Sequence, residues 1–217
     1  EKESSKILLC ILDREEAFFA LTKKQGYQLL SHIKGEVRKK ADIDSKEGNF
    51  YQTILKSLNE YIQRYGIESI IVASPAFWKE ELLKNIKDPE LKKKITLATC
   101  SSVDKTAINE VLKRNEVREV LKQDRIAKEA NLVESLLIEI SKNNLAVYGL
   151  DETEQAANIG AIKILLITDS LIKKSREENN YKRIEDIMKI TEQTKGDVYI
   201  INSDNDAGKK LDGLGGI

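Results

Sequence analysis

The sequence predicts an α/β protein of two domains, a mixed sheet with flanking helices followed by a small α/β sandwich. Three observations carry that expectation. The chain has 217 residues, more than one ordinary core of about 100–150 residues accommodates. Short β-branched runs alternate with stretches of helical period, the pattern of strands whose crossover helices pack back onto a sheet. A long, charged helical stretch then separates two such series.

Taken in order, Lys6 to Leu12 is an apolar run, Glu16 to Leu21 carries Ala17, Phe18 and Phe19, and Tyr27 to Ile33 follows the turn Lys23-Lys24-Gln25-Gly26. These read as an antiparallel meander. Gly35 to Gly48 is polar and without apolar period, so a loop is expected there. Phe50, Tyr51, Ile54, Leu55, Leu58, Tyr61 and Ile62 then recur at helical spacing until Gly66 stops them. Ile67 to Ala73 is β-branched and delivers through Ser74-Pro75 into a helix over Phe77 to Ile86. Lys94 to Ala98 is a further strand, and Val103 to Leu112 a helix begun by hydroxyls or by Asp104. Meander and alternation together make the sheet mixed.

Glu116 to Asn143 is helical throughout, with Leu132, Leu136, Leu137 and Ile140 on one face. We place the first domain at residues 1–120 and the second at 121–217. In the second, Leu145 to Tyr148 is expected as a strand. Asp151 is expected to cap a helix that runs through Ile159 and stops at Gly160. Ile162 to Thr168 and Asp197 to Ile201 are further strands, and Tyr181 to Thr194 and Ala207 to Leu211 further helices.

Lys plus Arg and Asp plus Glu number 36 each, so no overall basic field draws nucleic acid and any RNA contact needs a local patch. Cys10 and Cys100 are the only cysteines, which excludes a disulfide scaffold and leaves no zinc site to assemble. The longest apolar stretches, Ile7 to Leu12 and Ile162 to Ile167, are too short to span a bilayer. A cytoplasmic setting is expected.

Among polar candidates, Arg38-Lys39-Lys40 stands out on the polar loop. Composition alone makes it a solvated basic loop. Three adjacent cations also suit acidic protein segments or RNA phosphate through charge-assisted, salt-sensitive contacts. Lys92-Lys93-Lys94 reads as a solvated turn before a strand. His32, the single histidine, lies in a strand with no nucleophile nearby and reads as structural. Asp204, Asp206 and Asp212 lack the spacing and closing Glu of a calcium loop, so turn chemistry explains them. Glu152 and Glu154 fall in a helix's first turn, where carboxylates complement the macrodipole. Trp78 reads as a core anchor.

Three stretches resemble one family. Ile70-Ile71-Val72-Ala73-Ser74-Pro75-Ala76-Phe77 is similar to the Ala-Ser-Pro-Gly-Phe segment of the central domain of Pelota proteins, relatives of the class-one translation release factors. Ala76 stands where that segment has Gly, so a positive φ there would be strained. Ala146 to Ala156, with Gly160-Ala161-Ile162 and Leu165 to Leu171, resembles the C-terminal domain that Pelota shares with release factors, a fold akin to certain ribosomal proteins. Leu211-Asp212-Gly213-Leu214-Gly215-Gly216-Ile217 resembles the segment just before that domain's last strand.

The resemblance implies an archaeal Pelota's central and C-terminal domains. The family's Sm-like N-terminal domain would lie before Glu1, and the last strand beyond Ile217. It implies a factor for ribosome rescue and mRNA surveillance that reaches the ribosomal A site and its rRNA, binds a translational GTPase of the elongation-factor type, and engages an ABC-type recycling ATPase. On this reading Arg38, Lys39 and Lys40 touch the GTPase or RNA. No cofactor is expected, no membrane contact, and a monomer. A divalent-metal endoribonuclease activity on stalled mRNA is the alternative. The family's attribution of that activity to the N-terminal domain leaves it without residues here.

Release factors hydrolyse peptidyl ester with a Gly-Gly-Gln loop, whereas the one Gly-Gly pair here, Gly215-Gly216, precedes Ile217. The chain should therefore release no labelled peptide from programmed ribosomes above the uncatalysed background. Release at the rate of a Gly-Gly-Gln factor would overturn that expectation.

Overall fold

Six consecutive apolar residues, Ile7–Leu12, form β1, and all of them are buried. A strand with no polar side chain needs cover on both faces, and that demand organises everything around it. The computed structural model describes residues 7–23, 26–35, 43–143 and 145–217. It divides the chain into two units, Glu1–Lys122 and Gln123–Ile217.

In the first unit, β1 lies centrally in a five-stranded sheet with β2 (Glu16–Thr22), β3 (Tyr27–Lys34), β4 (Ser69–Ser74) and β5 (Ile95–Thr99), in the order β3-β2-β1-β4-β5. The β1–β2 and β2–β3 pairs are antiparallel and β1–β4 and β4–β5 parallel, so the sheet is mixed. Leu8, Cys10 and Leu12 point into a core with α1 (Ile43–Tyr65), α2 (Trp78–Asn85) and α3 (Pro89–Lys93), through Ile54, Leu58, Leu82 and Leu91. Ile7, Leu9 and Ile11 point the other way, against α4 (Lys105–Leu112) and the start of α5 (Asn115–Ser141), through Ile108, Val111 and Val117. The strand period of two thus sorts one apolar run between two cores. Asp104 caps α4, accepting the amides of Thr106 and Ala107.

The second unit repeats the scheme with two parallel strands, β6 (Ile164–Thr168) and β7 (Asp197–Ile201). On one face Leu165 and Ile167 meet Ile184 and Ile187 of α8 (Tyr181–Gln193) and Ala157 of α6 (Leu150–Asn158), with α7 (Asp169–Glu177) contributing Leu171 and Ile172. On the other, Leu166 and Ile201 meet Val133 of α5 and Leu211 of α9 (Asp206–Gly213). Glu129 of α5 is 4% exposed. Its carboxylate accepts from Arg125 Nε at 2.8 Å, from Asn202 N–H at 3.2 Å and from Asn205 Nδ2 at 2.6 Å. The buried charge is thereby fully engaged, as such groups must be.

Several elements differ from the sequence-based expectation. Leu145 to Tyr148 is not a strand. β propensity makes no strand without a neighbour to take its amides and carbonyls, and among the described residues no strand pairs with this segment. Asp151 does not cap α6. The N-cap is Gly149 at φ +81°, and Asp151 in the first turn bonds Arg183 instead. α1 begins at Ile43, inside the stretch read as loop, because an established helix extends through polar residues at one bond each. α3 and α7 carry too few apolar residues for a periodic signal.

The turn after β4 stores backbone strain. Ala76 sits at φ +49°, the left-handed region that costs a residue with a Cβ about 1–2 kcal/mol. Ser74 Oγ accepts the Lys79 amide at 2.9 Å, and Lys79 Nζ donates to the Ala76 carbonyl at 2.9 Å, pinning the turn from both sides. Ala76→Gly removes the steric conflict but loosens the unfolded chain, so we expect a net gain of about 0.5–1 kcal/mol in denaturant unfolding. Ala76→Val should instead lose stability. A loss with Gly would show that the turn is unstrained.

Among the described residues, five carboxylates titrate below their usual range. The Thr106 hydroxyl lowers Asp104, the Ser101 amide Glu110, Arg183 Glu154, the Ser203 amide Asp169, and Lys189 Glu185. A lowered folded pKa contributes stability that is present above the ordinary values, 3.8 for Asp and 4.5 for Glu, and is lost as pH falls through the folded value. Stability should therefore hold level from about pH 7 to pH 5.5 and decline below about pH 4. Urea midpoints measured across that range check it. An increase on acidification would contradict the assignment.

Candidate partner-docking site

The parallel strands β1 and β4 end on one edge of the first unit's sheet, and β3 ends there too, since it runs antiparallel to β2. Gly35, directly after β3, is tied there by its amide to the Glu15 carbonyl at 2.7 Å. Gly35 therefore lies at the end of the sheet where β4 delivers its strained turn. Three strand spacings, roughly 14 Å, separate the ends of β3 and β4. Arg38, Lys39 and Lys40 themselves lie outside the described residues.

On the β4 side, Ser74 is fully buried, while Phe77, three residues on, is 76% exposed. An aromatic ring left in water beside a turn braced by Ser74 and Lys79 is an apolar contact presented on a fixed backbone. Phe77 escaped the sequence reading because it stands where a helix was expected to start, and helical spacing does not distinguish it from Trp78. Trp78 is partly buried and packs on the first core, as a core anchor does.

The other singled-out residues have structural partners. His32 Nε2 pairs with Glu16 across the β2–β3 ladder, and its ring stacks on Phe18 with centroids 3.9 Å apart. Lys92 and Lys93 belong to the last turn of α3 rather than to a free turn, and Lys93 pairs with Glu90 at 2.7 Å. Cations at that end complement the helix dipole. Lys94 Nζ donates to the Ile67 carbonyl at 3.2 Å. Burial pushes the Cys100 thiol up to about 11 and raises Cys10 further, so neither is a ready nucleophile.

In the second unit, Arg183 of α8 grips Asp151 and Glu154 of α6 together, and its own pKa is raised by Glu154 first and Asp151 second. Glu154 thus serves helix packing more than the dipole. Asp204, Asp206 and Asp212 go separate ways: Asp204 N–H donates to Asn202 Oδ1, Asp206 opens α9 behind the Asn205 cap, and Asp212 accepts the Ser170 hydroxyl at 2.8 Å. Among the described residues no three His, Cys, Asp or Glu side chains gather as a metal set. None of the described helices is long and apolar enough to cross a membrane.

Residues 6–123 match the family model of eRF1 domain 2, and residues 126–217 that of eRF1 domain 3. The Pelota homolog of Thermococcus kodakarensis is 36% identical over 219 residues, covering 98% of this chain and 60% of the relative. That of Methanocaldococcus jannaschii is 38% identical over 217 residues, covering 98% and 59%. The chain thus spans about 60% of the length of the curated relatives it matches. Among solved structures, a ribosome-bound archaeal Pelota with ABCE1 superposes with a TM-score of 0.62 at 34% identity, covering 96% of this chain and 59% of the other. Saccharomyces cerevisiae Dom34, described as a termination-like factor of RNA quality control that interacts with Hbs1, gives 0.51 at 26% identity, covering 98% and 61%. The chain belongs to the eRF1 family and carries that family's domain 2 followed by its domain 3.

Proposed function

We propose that this chain is the partner-binding part of a ribosome-rescue and mRNA-surveillance factor. It binds stalled ribosomes near the A site, recruits a translational GTPase of the elongation-factor type, and then engages an ABC-type recycling ATPase. The observation that carries the reading is a domain 2 and domain 3 pair, similar along its length to Pelota homologs, in a chain without a Gly-Gly-Gln motif. Ribosome-bound Pelota with ABCE1 and Dom34 with Hbs1 support the choice of partners. The work is binding, performed by a monomer in the cytoplasm without a cofactor.

Two contacts divide that work. Arg38, Lys39 and Lys40 supply charge for an acidic protein surface or for rRNA phosphate. Phe77 supplies an exposed apolar anchor after β4, suited to a pocket on the GTPase.

The test is affinity for a GTP-bound elongation-factor-type GTPase, measured across ionic strength. Arg38→Ala, Lys39→Ala and Lys40→Ala together should weaken binding about tenfold or more at low salt, with the difference shrinking as salt rises. Phe77→Ala should cost about 2 kcal/mol of binding at every salt concentration, as a buried aromatic hot spot does. Its unfolding midpoint should not change, because the ring is exposed in the free protein. Unchanged affinity in both variants would remove the basic run and Phe77 as docking contacts.

A further inference from the structure

We draw no further inference here: the strongest candidate, the exposed apolar stretch Leu145–Tyr148 ahead of α6 in the second unit, is an unpartnered apolar face with nothing in the structure to show what covers it.

Discussion

The first unit depends on the double-sided burial of β1. Leu8, Cys10 and Leu12 on one face and Ile7, Leu9 and Ile11 on the other leave no residue that tolerates water. Its neighbours inherit the constraint. Ile70 and Val72 of β4 join the first core while Ile71 and Ala73 join the second, and Phe18 and Phe19 of β2 divide the same way. Two faces to cover require helices on both sides, and the parallel connections from β3 to β4 and from β4 to β5 supply α1, α2 and α3 to one of them. The other is closed by α4 and the start of α5. A slip of one residue in β1 would exchange the two sets and mismatch both cores at once.

The same rule shapes the second unit on a smaller scale. Leu165 and Ile167 face one layer, Leu166 the other. With two strands the sheet has little area, so polar bonds take a larger share of the positioning. Glu129 holds α5 to the turn between β7 and α9, and Arg183 holds α8 to α6. Gly208 lets α9 lie close on the turn that follows β7: a Cβ there would fall 2.0 Å from the Asn202 carbonyl oxygen. Removing Asn205 Nδ2 would leave the buried Glu129 carboxylate short of a donor, which costs more than the bond itself contributes.

What could be read in the sequence follows the same physics. Strands buried on both faces announce themselves as unbroken apolar runs, as β1, β4 and β6 do. Helices with a wide apolar stripe, α1 and α8, were found from Phe50 to Ile62 and from Tyr181 to Thr194. α3 was hidden because five residues complete barely one turn, and α7 because Leu171 and Ile172 are too few to set a period. Leu145 to Tyr148 misled because propensity describes the residue, whereas a strand is a property of a pair. The capping of α6 misled similarly: Asp151 is a good cap by type, but Arg183, thirty-two residues away in sequence, claims its carboxylate.

The contacts proposed for docking are half legible in the sequence, for a reason that lies in how charge and strain are encoded. A cation run such as Arg38 to Lys40 is visible in any string of letters, though its purpose is not. The exposure of Phe77 depends on the backbone at Ala76, and only the departure from Gly in the resembling segment hinted at it. Evolution of a well-packed turn would ordinarily relieve a Cβ at φ +49° or hide a phenyl ring. Here neither happens, and the buried Ser74 and Lys79 hold the conformation against its cost. Strain kept beside an exposed aromatic ring is what the proposed docking role would use, since a turn already fixed has less to lose when a partner binds. The scaffold beneath it, closed by β1 on both faces, provides the rigidity that such preorganisation needs.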